Sequence, residues 1–336
     1  MITISNTSKI FILCPANLAT GGPEALHQLC EALVNKGFMA TICYTDYNKV
    51  KFESPIHPAY VKYNVPFVFE IENSIENYVL FPETFTPSLW EKKYSNVNKI
   101  VWWLSVTNFK ITFENTKSHY ESKFLYHLKK QFKEYPIPTF KKLQDTKIKH
   151  IAHSYFSVDF LRQNNISIVG QISDYMNEKF TTGESYIHKK ENNIIYNAFK
   201  NGEFLDKIIQ LTKDINWIPI KDMTPQQVSE TMQKAKVYID FGYHPGKERM
   251  PREACLMDCC MIIGKDGSAK YKEDMPIPDN FHFEKKEELI TEISNKVREC
   301  INNYSTVIQM FQPYKKILLN EKEEFYNAID TVFFKK

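Results

Sequence analysis

The stretch CPANLATGGPEALHQLCEALVNKG, Cys14 to Gly37, decides how the N-terminal half of this chain is read. An apolar run, Ile10-Phe11-Ile12-Leu13, leads into it, and Lys9–Leu13 reads as a buried strand. Two adjacent glycines, Gly21 and Gly22, stand where that strand hands over to a helix. Leu26, Leu29, Cys30, Leu33 and Val34 recur at i, i+3, i+4, i+7 and i+8, which predicts a helix over Pro23–Asn35. Gly37 is a natural C-terminal stop. The glycine pair does not make the G-x-G-x-x-G dinucleotide fingerprint. Asp46, the nearest acidic residue at the end of the next strand, is only a faint ribose partner. The pair is therefore either a loop that a ligand can approach or simply a tight turn.

Outward from this stretch, Met39–Tyr44, Tyr78–Phe81 and Lys99–Leu104 read as further short strands. Strands alternating with helices build a parallel sheet. Ligands of such sheets bind outside the carboxyl ends of the strands. The loops Pro15–Gly22, Pro82–Thr86 and Ser105–Asn108 are accordingly the places to search. Glu83 lies in one of them and is the first candidate for a general base. In "VWWLSVTNF", one of Trp102 and Trp103 belongs to the core. The other, taken here as Trp103, could with Ser105 and Asn108 line a ligand that stacks on an aromatic face. His153, in "HIAHSYFSVDFLRQNNI", is a rival base at the end of another strand–helix pair. For any lone His, a structural role competes.

The chain has 336 residues, enough for two domains. Its net charge of +3 does not mark a nucleic-acid binder. Seven cysteines, an odd number set mostly in apolar stretches, fit free thiols in a reducing cytosol. Cys255, Cys259 and Cys260 cluster without a metal-ligand spacing. No signal peptide or membrane-spanning run is expected. Lys110–His150 carries ten Lys against four acidic residues, with aromatics between them. It is either a solvated surface or a basic amphipathic face for anionic lipid headgroups or an anionic acceptor.

A second alternating region begins at Ile194. Phe204–Lys213 reads as a helix and Asp214–Ile220 as a strand. Thr224-Pro-Gln-Gln227 reads as a helix start with a reciprocal cap. Lys236–Phe241 is a strand, Pro251–Asp258 a helix and Cys259–Gly264 a strand, and Glu287–Phe334 is mostly helical. The densest constellation is "YIDFGYHPGKERMPREACLMDCCMIIGKDGSAK", Tyr238–Lys270. After a strand come His244, Gly246, Lys247, Glu248 and Arg249, then a helix with Arg252 and Glu253. Open backbone N–H groups, a helix N-terminus and three cationic side chains suit a diphosphate. The same residues could instead make a surface loop with local salt bridges. His244 is a third candidate base.

The two α/β regions, the Gly-Gly loop and "YIDFGYHPGKERMPREA…GSAK", with "IIYNAFKNGEF" and "INWIPIKDMT", resemble the GT-B fold glycosyltransferases. Within these the chain is similar to bacterial enzymes that build capsular and lipopolysaccharide glycans. The resemblance implies an α/β fold of two Rossmann-like domains facing across a cleft. It implies an N-terminal acceptor domain over 1–168, a linker over 169–192, a nucleotide-sugar domain over 193–316, and a C-terminal helix over 317–336 returning to the first domain. It implies that Glu253 holds the donor ribose, with Lys247, Arg249 and Arg252 near the diphosphate. Trp217 and Ile218 would lie beside the base, with Ser268 among the donor contacts. Gly22 would approach the donor, and Gly21, with Trp103, Ser105 and Asn108, the acceptor. Many retaining members carry a second Glu that Pro245 replaces here, so retention does not carry over. No DxD occurs, and no metal or cofactor is expected. The implied partners are a nucleotide-sugar, a glycan or lipid-linked acceptor, and anionic membrane through residues 110–150, with no nucleic acid. The implied location is the cytoplasm, at the inner face of the membrane. The alternatives are a nucleotide-sugar epimerase on the same fold, a dinucleotide-dependent oxidoreductase and a non-catalytic partner in envelope assembly.

Overall fold

The computed structural model describes residues 1–46, 53–121, 139–182 and 184–336. The chain divides into two compact units, Met1–Asp174 with Glu324–Lys336, and Tyr175–Glu323. Residues 122–138, the centre of the basic segment expected to meet membrane, lie outside the described residues.

Unit 1 contains β1 (Ile2–Ile4), β2 (Lys9–Pro15), α1 (Gly21–Asn35), β3 (Met39–Thr45), β4 (Phe67–Val68), β5 (Tyr78–Pro82), β6 (Asn98–Trp103), α2 (Val106–Glu121), β7 (Ile148–Ala152), α3 (Tyr155–Gln163) and β8 (Ile168–Gln171). Seven of its strands form one sheet in the order β4-β3-β2-β5-β6-β7-β8. Every neighbouring pair is parallel. Five consecutive residues of β2, Ile10–Cys14, are buried. A strand covered on both faces requires such an unbroken apolar run, since alternation would put polar groups into one of the two layers. The order reverses direction between β2 and β5. The crevice that this leaves at their carboxyl ends is the usual ligand position in such a sheet. The Gly21–Gly22 loop and Glu83 stand at those two strand ends.

Unit 2 contains β9 (Glu191–Asn197), α4 (Glu203–Leu211), β10 (Asn216–Ile220), α5 (Pro225–Lys234), β11 (Ala235–Asp240), α6 (Arg249–Leu256), β12 (Cys260–Gly264), β13 (His282–Phe283), α7 (Ile290–Asn302) and α8 (Gln312–Leu319). Its sheet runs β10-β9-β11-β12-β13, again all parallel. The reversal here lies between β9 and β11. The expected cap on α5 is present: Gln227 N–H donates to Thr224 Oγ1 at 3.3 Å, and Thr224 N–H donates to Gln227 Oε1 at 2.8 Å.

α9 (Glu321–Val332) begins in unit 2 and ends in unit 1. It runs into β14 (Phe333–Lys335), which pairs with β1 in parallel, Ile2 opposite Phe333. The sequence pattern predicts helix through Phe334, and Phe333–Lys335 form a strand instead. Two other boundaries also move. α1 starts at Gly21 and α6 at Arg249, each two residues ahead of the proline that marked its start. Pro lacks an N–H, and the first turn of a helix leaves its N–H groups unpaired in any case, so Pro is tolerated anywhere in that turn.

Candidate functional site

In unit 2 the chain leaves β11 through a loop locked at both ends. Asp240 Oδ2 accepts from Tyr238 Oη at 2.7 Å, and its Oδ1 accepts from the Gly242 N–H at 2.8 Å. Asn201, after β9, accepts from the Phe241 N–H at 2.8 Å and donates to the Asn197 carbonyl at 2.9 Å. This ties the two loops that flank the switch point. Lys200 adds an ion pair to Glu248 at 2.6 Å. Further on, Ser268 N–H donates to the His244 carbonyl at 3.0 Å, and Ser268 Oγ donates to the Gly246 carbonyl at 2.5 Å. Gly267 has φ +49° there, and a Cβ on it would come within 1.9 Å of the His244 oxygen. The hydroxyl of Ser268, expected to face the donor, is thus bonded to its own chain.

The three cations of the loop divide. Arg252 is fully buried. Its Nη1 lies 3.0 Å from Glu321 Oε2, its Nε donates to the Glu248 carbonyl at 3.1 Å, and its Nη2 donates to the Lys247 carbonyl at 3.2 Å. Arg252 therefore holds the loop from beneath rather than offering its fork to a diphosphate, which corrects the expectation for this residue. Lys247 lies 2.8 Å from the same carboxylate through Glu321 Oε1 and is mostly covered. Arg249, the first residue of α6, and Glu253, one turn on, are both only half-buried. They sit where the N-terminal N–H groups of a helix favour negative charge. Trp217 and Ile218 lie on the edge strand β10, half-buried, with the Trp217 indole donating to the Thr212 carbonyl at 3.3 Å.

His244 is 1% exposed, and neither of its ring nitrogens has a hydrogen-bond partner among the described residues. The same holds for His282 Nε2. Burial, with Lys265 adding to it, pulls the His282 imidazole down to about 4, so it is neutral at neutral pH. Buried polar atoms are rarely left unpaired.

In unit 1 the Gly21–Gly22 loop opens α1. A Cβ on Gly22 would meet only Leu104 Cδ1, at 3.7 Å. Packing within the chain therefore does not demand glycine there. Beneath the loop, His27 Nδ1–H donates to the Pro23 carbonyl at 2.7 Å and its Nε2 accepts from Tyr44 Oη at 2.8 Å. Tyr60 Oη donates to the Thr20 carbonyl at 2.8 Å. The loop is anchored from below.

Glu83 is buried, and its Oε2 accepts from the Leu104 N–H at 2.9 Å. Burial pushes its carboxyl up to about 8, outweighing the backbone donors that pull it down. Below that pH it is a neutral acid that ties the end of β5 to the end of β6. Trp103 has no exposed face: its indole donates to His150 Nδ1 at 3.0 Å, and Phe109 packs at 4.7 Å between ring centres. Both tryptophans belong to the core, so the expected stacking face on Trp103 is closed. Ser105 Oγ accepts from the Asn108 N–H at 3.1 Å, the bond of a helix N-cap at the start of α2. Asn108 itself is exposed.

His153 follows β7 at its carboxyl end. Its Nε2 lies 3.1 Å from Asp174 Oδ1 and 3.2 Å from the Asp174 backbone nitrogen. One ring nitrogen cannot donate and accept at once, and donation to a carboxylate is the stronger bond. Nδ1 then has no partner among the described residues. A carboxylate orienting one imidazole nitrogen is half of a general base's arrangement; the other nitrogen, Nδ1, is itself buried. Asp174 was not singled out in the sequence, where 21 residues separate it from His153. Among the described residues no group of three His, Cys, Asp or Glu could hold a metal ion. Among the same residues no helix is long and apolar enough to cross a membrane.

No protein-family model and no curated protein matches this sequence. Solved structures resemble it in fold. HepE of Anabaena, in complex with UDP-glucose, gives a TM-score of 0.57 at 10% identity, over 96% of this chain and 99% of that one. A glycosyltransferase from Rickettsia africae gives 0.56 at 15% identity, over 97% and 96%. TarM gives 0.50 at 12% identity over 76% of this chain. The match spans 54% of TarM's own length, so this chain corresponds to little more than half of it. The likeness is one of fold: two parallel-sheet α/β units in one chain, as in the GT-B glycosyltransferases.

Proposed function

We propose that the chain is a glycosyltransferase that moves a sugar from a nucleotide diphosphate to a hydroxyl of a cell-surface glycan. The capsule, lipopolysaccharide and O-antigen are the acceptors that the sequence resemblance suggests. The observation that carries the reading is the locked loop after β11, with Arg249 and Glu253 opening α6, in a fold shared with HepE and its bound UDP-glucose. Arg249 and the first N–H groups of α6 would take the negative charge of the diphosphate, and Glu253 would accept from the ribose hydroxyls. Lys247 would add charge while tethered to Glu321, and Arg252 would hold the loop in shape. Gly22 would let the backbone of its own loop come close to a substrate.

His153 is the base in this reading. Its Nδ1 is buried, and substrate binding would have to uncover it for it to take the acceptor proton as the acceptor oxygen bonds to the anomeric carbon and the nucleotide diphosphate departs. A base-assisted direct displacement inverts the anomeric centre. Glu83 is the weaker candidate, because a carboxyl pushed up to about 8 is protonated at neutral pH.

Purified protein offered a panel of nucleotide-sugars with glycan acceptors is expected to release nucleotide. Arg249→Ala and Glu253→Ala should each cut kcat/KM more than tenfold. His153→Ala should lower kcat by about 10²–10⁴ while donor binding persists, the range for a lost general base. Full activity in all three variants sinks the assignment. Conversion of the nucleotide-sugar with no acceptor present, followed by NMR, would make it an epimerase instead.

A further inference from the structure

β7 and β8 run parallel and end side by side, and β8 carries an extra residue. His150 pairs with Ile168 but Ile151 with Gly170, which leaves Val169 over. A bulge of this kind re-aims the residues that follow it. Here these are Ile172, Ser173 and Asp174, a strap without regular structure at whose end the chain leaves unit 1. Connecting segments of this kind are usually the mobile ones. This one is bonded at each of its residues. Ile172 N–H donates to the Ala152 carbonyl at 2.9 Å, and the Ile172 carbonyl accepts from the Trp102 indole at 3.0 Å. Ser173 Oγ donates to the His153 carbonyl at 2.5 Å. Trp102 is fully buried, and its ring meets the His153 imidazole edge-on, 5.9 Å between centres. His153 is held from the other side as well, its N–H donating to Ser157 Oγ at 3.0 Å in the first turn of α3.

The consequence falls on one ring nitrogen. Asp174 presents two groups to His153 Nε2, a carboxylate oxygen at 3.1 Å and its own backbone N–H at 3.2 Å. They favour opposite tautomers. The carboxylate pairs with a proton on Nε2, and the N–H pairs with a lone pair there. Each choice leaves a different group at Nδ1, which is buried without a partner among the described residues. With the proton on Nε2, Nδ1 holds a bare lone pair. With the proton on Nδ1, a buried N–H is left unpaired, and buried donors are rarely so left. The bond to a carboxylate is also the stronger of the two. The first tautomer therefore prevails while the carboxylate stays within reach of Nε2, and the strap sets that reach.

We propose that Ser173 and Trp102 are positioning residues that hold Asp174 against His153 and so fix the tautomer of its imidazole, proton on Nε2 and lone pair on Nδ1. Neither bonds to a ring nitrogen; each acts through the strap. That this tautomer serves a base rests on the transferase reading; the tautomer itself does not. The test is NMR on the full chain with 15N-labelled histidine. The parent should show a downfield ring proton on His153 Nε2, assigned by its loss in His153→Gln. Ser173→Ala removes one hydroxyl at a half-buried residue. It should lose that signal to exchange or move it upfield, with an unchanged melting temperature. Ser173→Thr keeps the hydroxyl and should restore the signal. Trp102→Phe keeps a ring beside His153, loses the bond to Ile172 and should act like Ser173→Ala. If this buried variant does not fold, Ser173→Ala decides alone. The proposal falls if the parent carries its proton on Nδ1, if Ser173→Ala or a folded Trp102→Phe keeps the parent's signal, or if Ser173→Thr behaves as Ser173→Ala does. Nucleotide release is measured separately. There Ser173→Ala should lower kcat about tenfold at an unchanged donor KM, short of the loss of about 10²–10⁴ for removing a base. A signal lost in the variants, from a chain that never releases nucleotide, keeps the positioning and removes the transferase reading. A signal lost while nucleotide release stays at the parent's rate keeps the positioning and removes His153 as the base.

Discussion

Arg252 and Arg249 are three residues apart and chemically identical, yet their surroundings give them opposite roles. Arg252 is sealed in with Glu321, and removing one member of a buried pair strands the other charge. Arg252→Met is expected to cost about 3–5 kcal/mol in denaturant unfolding of unit 2. Arg249→Ala, at a half-buried residue opening α6, should show its main effect in donor binding. Glu83 makes a second residue-scale prediction. Its carboxyl titrates near 8 when folded, against 4.5 as the ordinary value. The folded state therefore holds a proton that the unfolded chain has already released. The contribution of this group to stability is full below about pH 4.5 and is lost as pH rises to about 8. Relative to the parent, Glu83→Gln should show a flatter melting temperature between pH 5 and 8, read by calorimetry. A parallel pair of curves would mean that Glu83 ionises normally.

Among the elements, the glycine-bearing turns separate structural from functional demand. Gly267 sits at φ +49° against the His244 carbonyl, so Gly267→Ala meets both backbone strain and a 1.9 Å overlap. It should destabilise unit 2 by more than about 2 kcal/mol and free the loop of residues 244–246 for proteolysis. Gly22→Ala meets nothing closer than 3.7 Å and adds a better helix former to the first turn of α1. It should fold at least as stably as the parent while raising KM for a substrate, measured by thermal unfolding beside kinetics. What the sequence disclosed at this scale depended on range. The Thr224–Gln227 cap was legible because both of its bonds span three residues. The burial of Arg252 was not, because its carboxylate partner lies 69 residues away. The strands β4 and β13 are two residues each, too short to show any period.

Across the whole molecule, alternating apolar runs and amphipathic stretches made two α/β units legible. A parallel strand buried on both faces cannot hide its composition. The pairing of β1 with β14 was not legible, since it joins the first residues to the last and neither segment carries a long period. Its consequence can be tested by removing residues 324–336. The deletion takes Phe325, Ile329, Val332 and Phe333 from unit 1, all of them buried, and uncovers Ile2 and Ile4. Each such side chain contributes about 1.5–3 kcal/mol of burial. Four of them rival the whole stability of an ordinary domain, about 5–15 kcal/mol. Unit 2 ends at Glu323 and keeps Glu321 with its partners Arg252 and Lys247. In the shortened chain, hydrogen exchange should lose protection across β2, β3 and β5 while β9, β11 and β12 stay protected. Equal loss in both sheets would mean that the two units unfold as one, and unchanged protection would mean that α9 and β14 contribute little to unit 1.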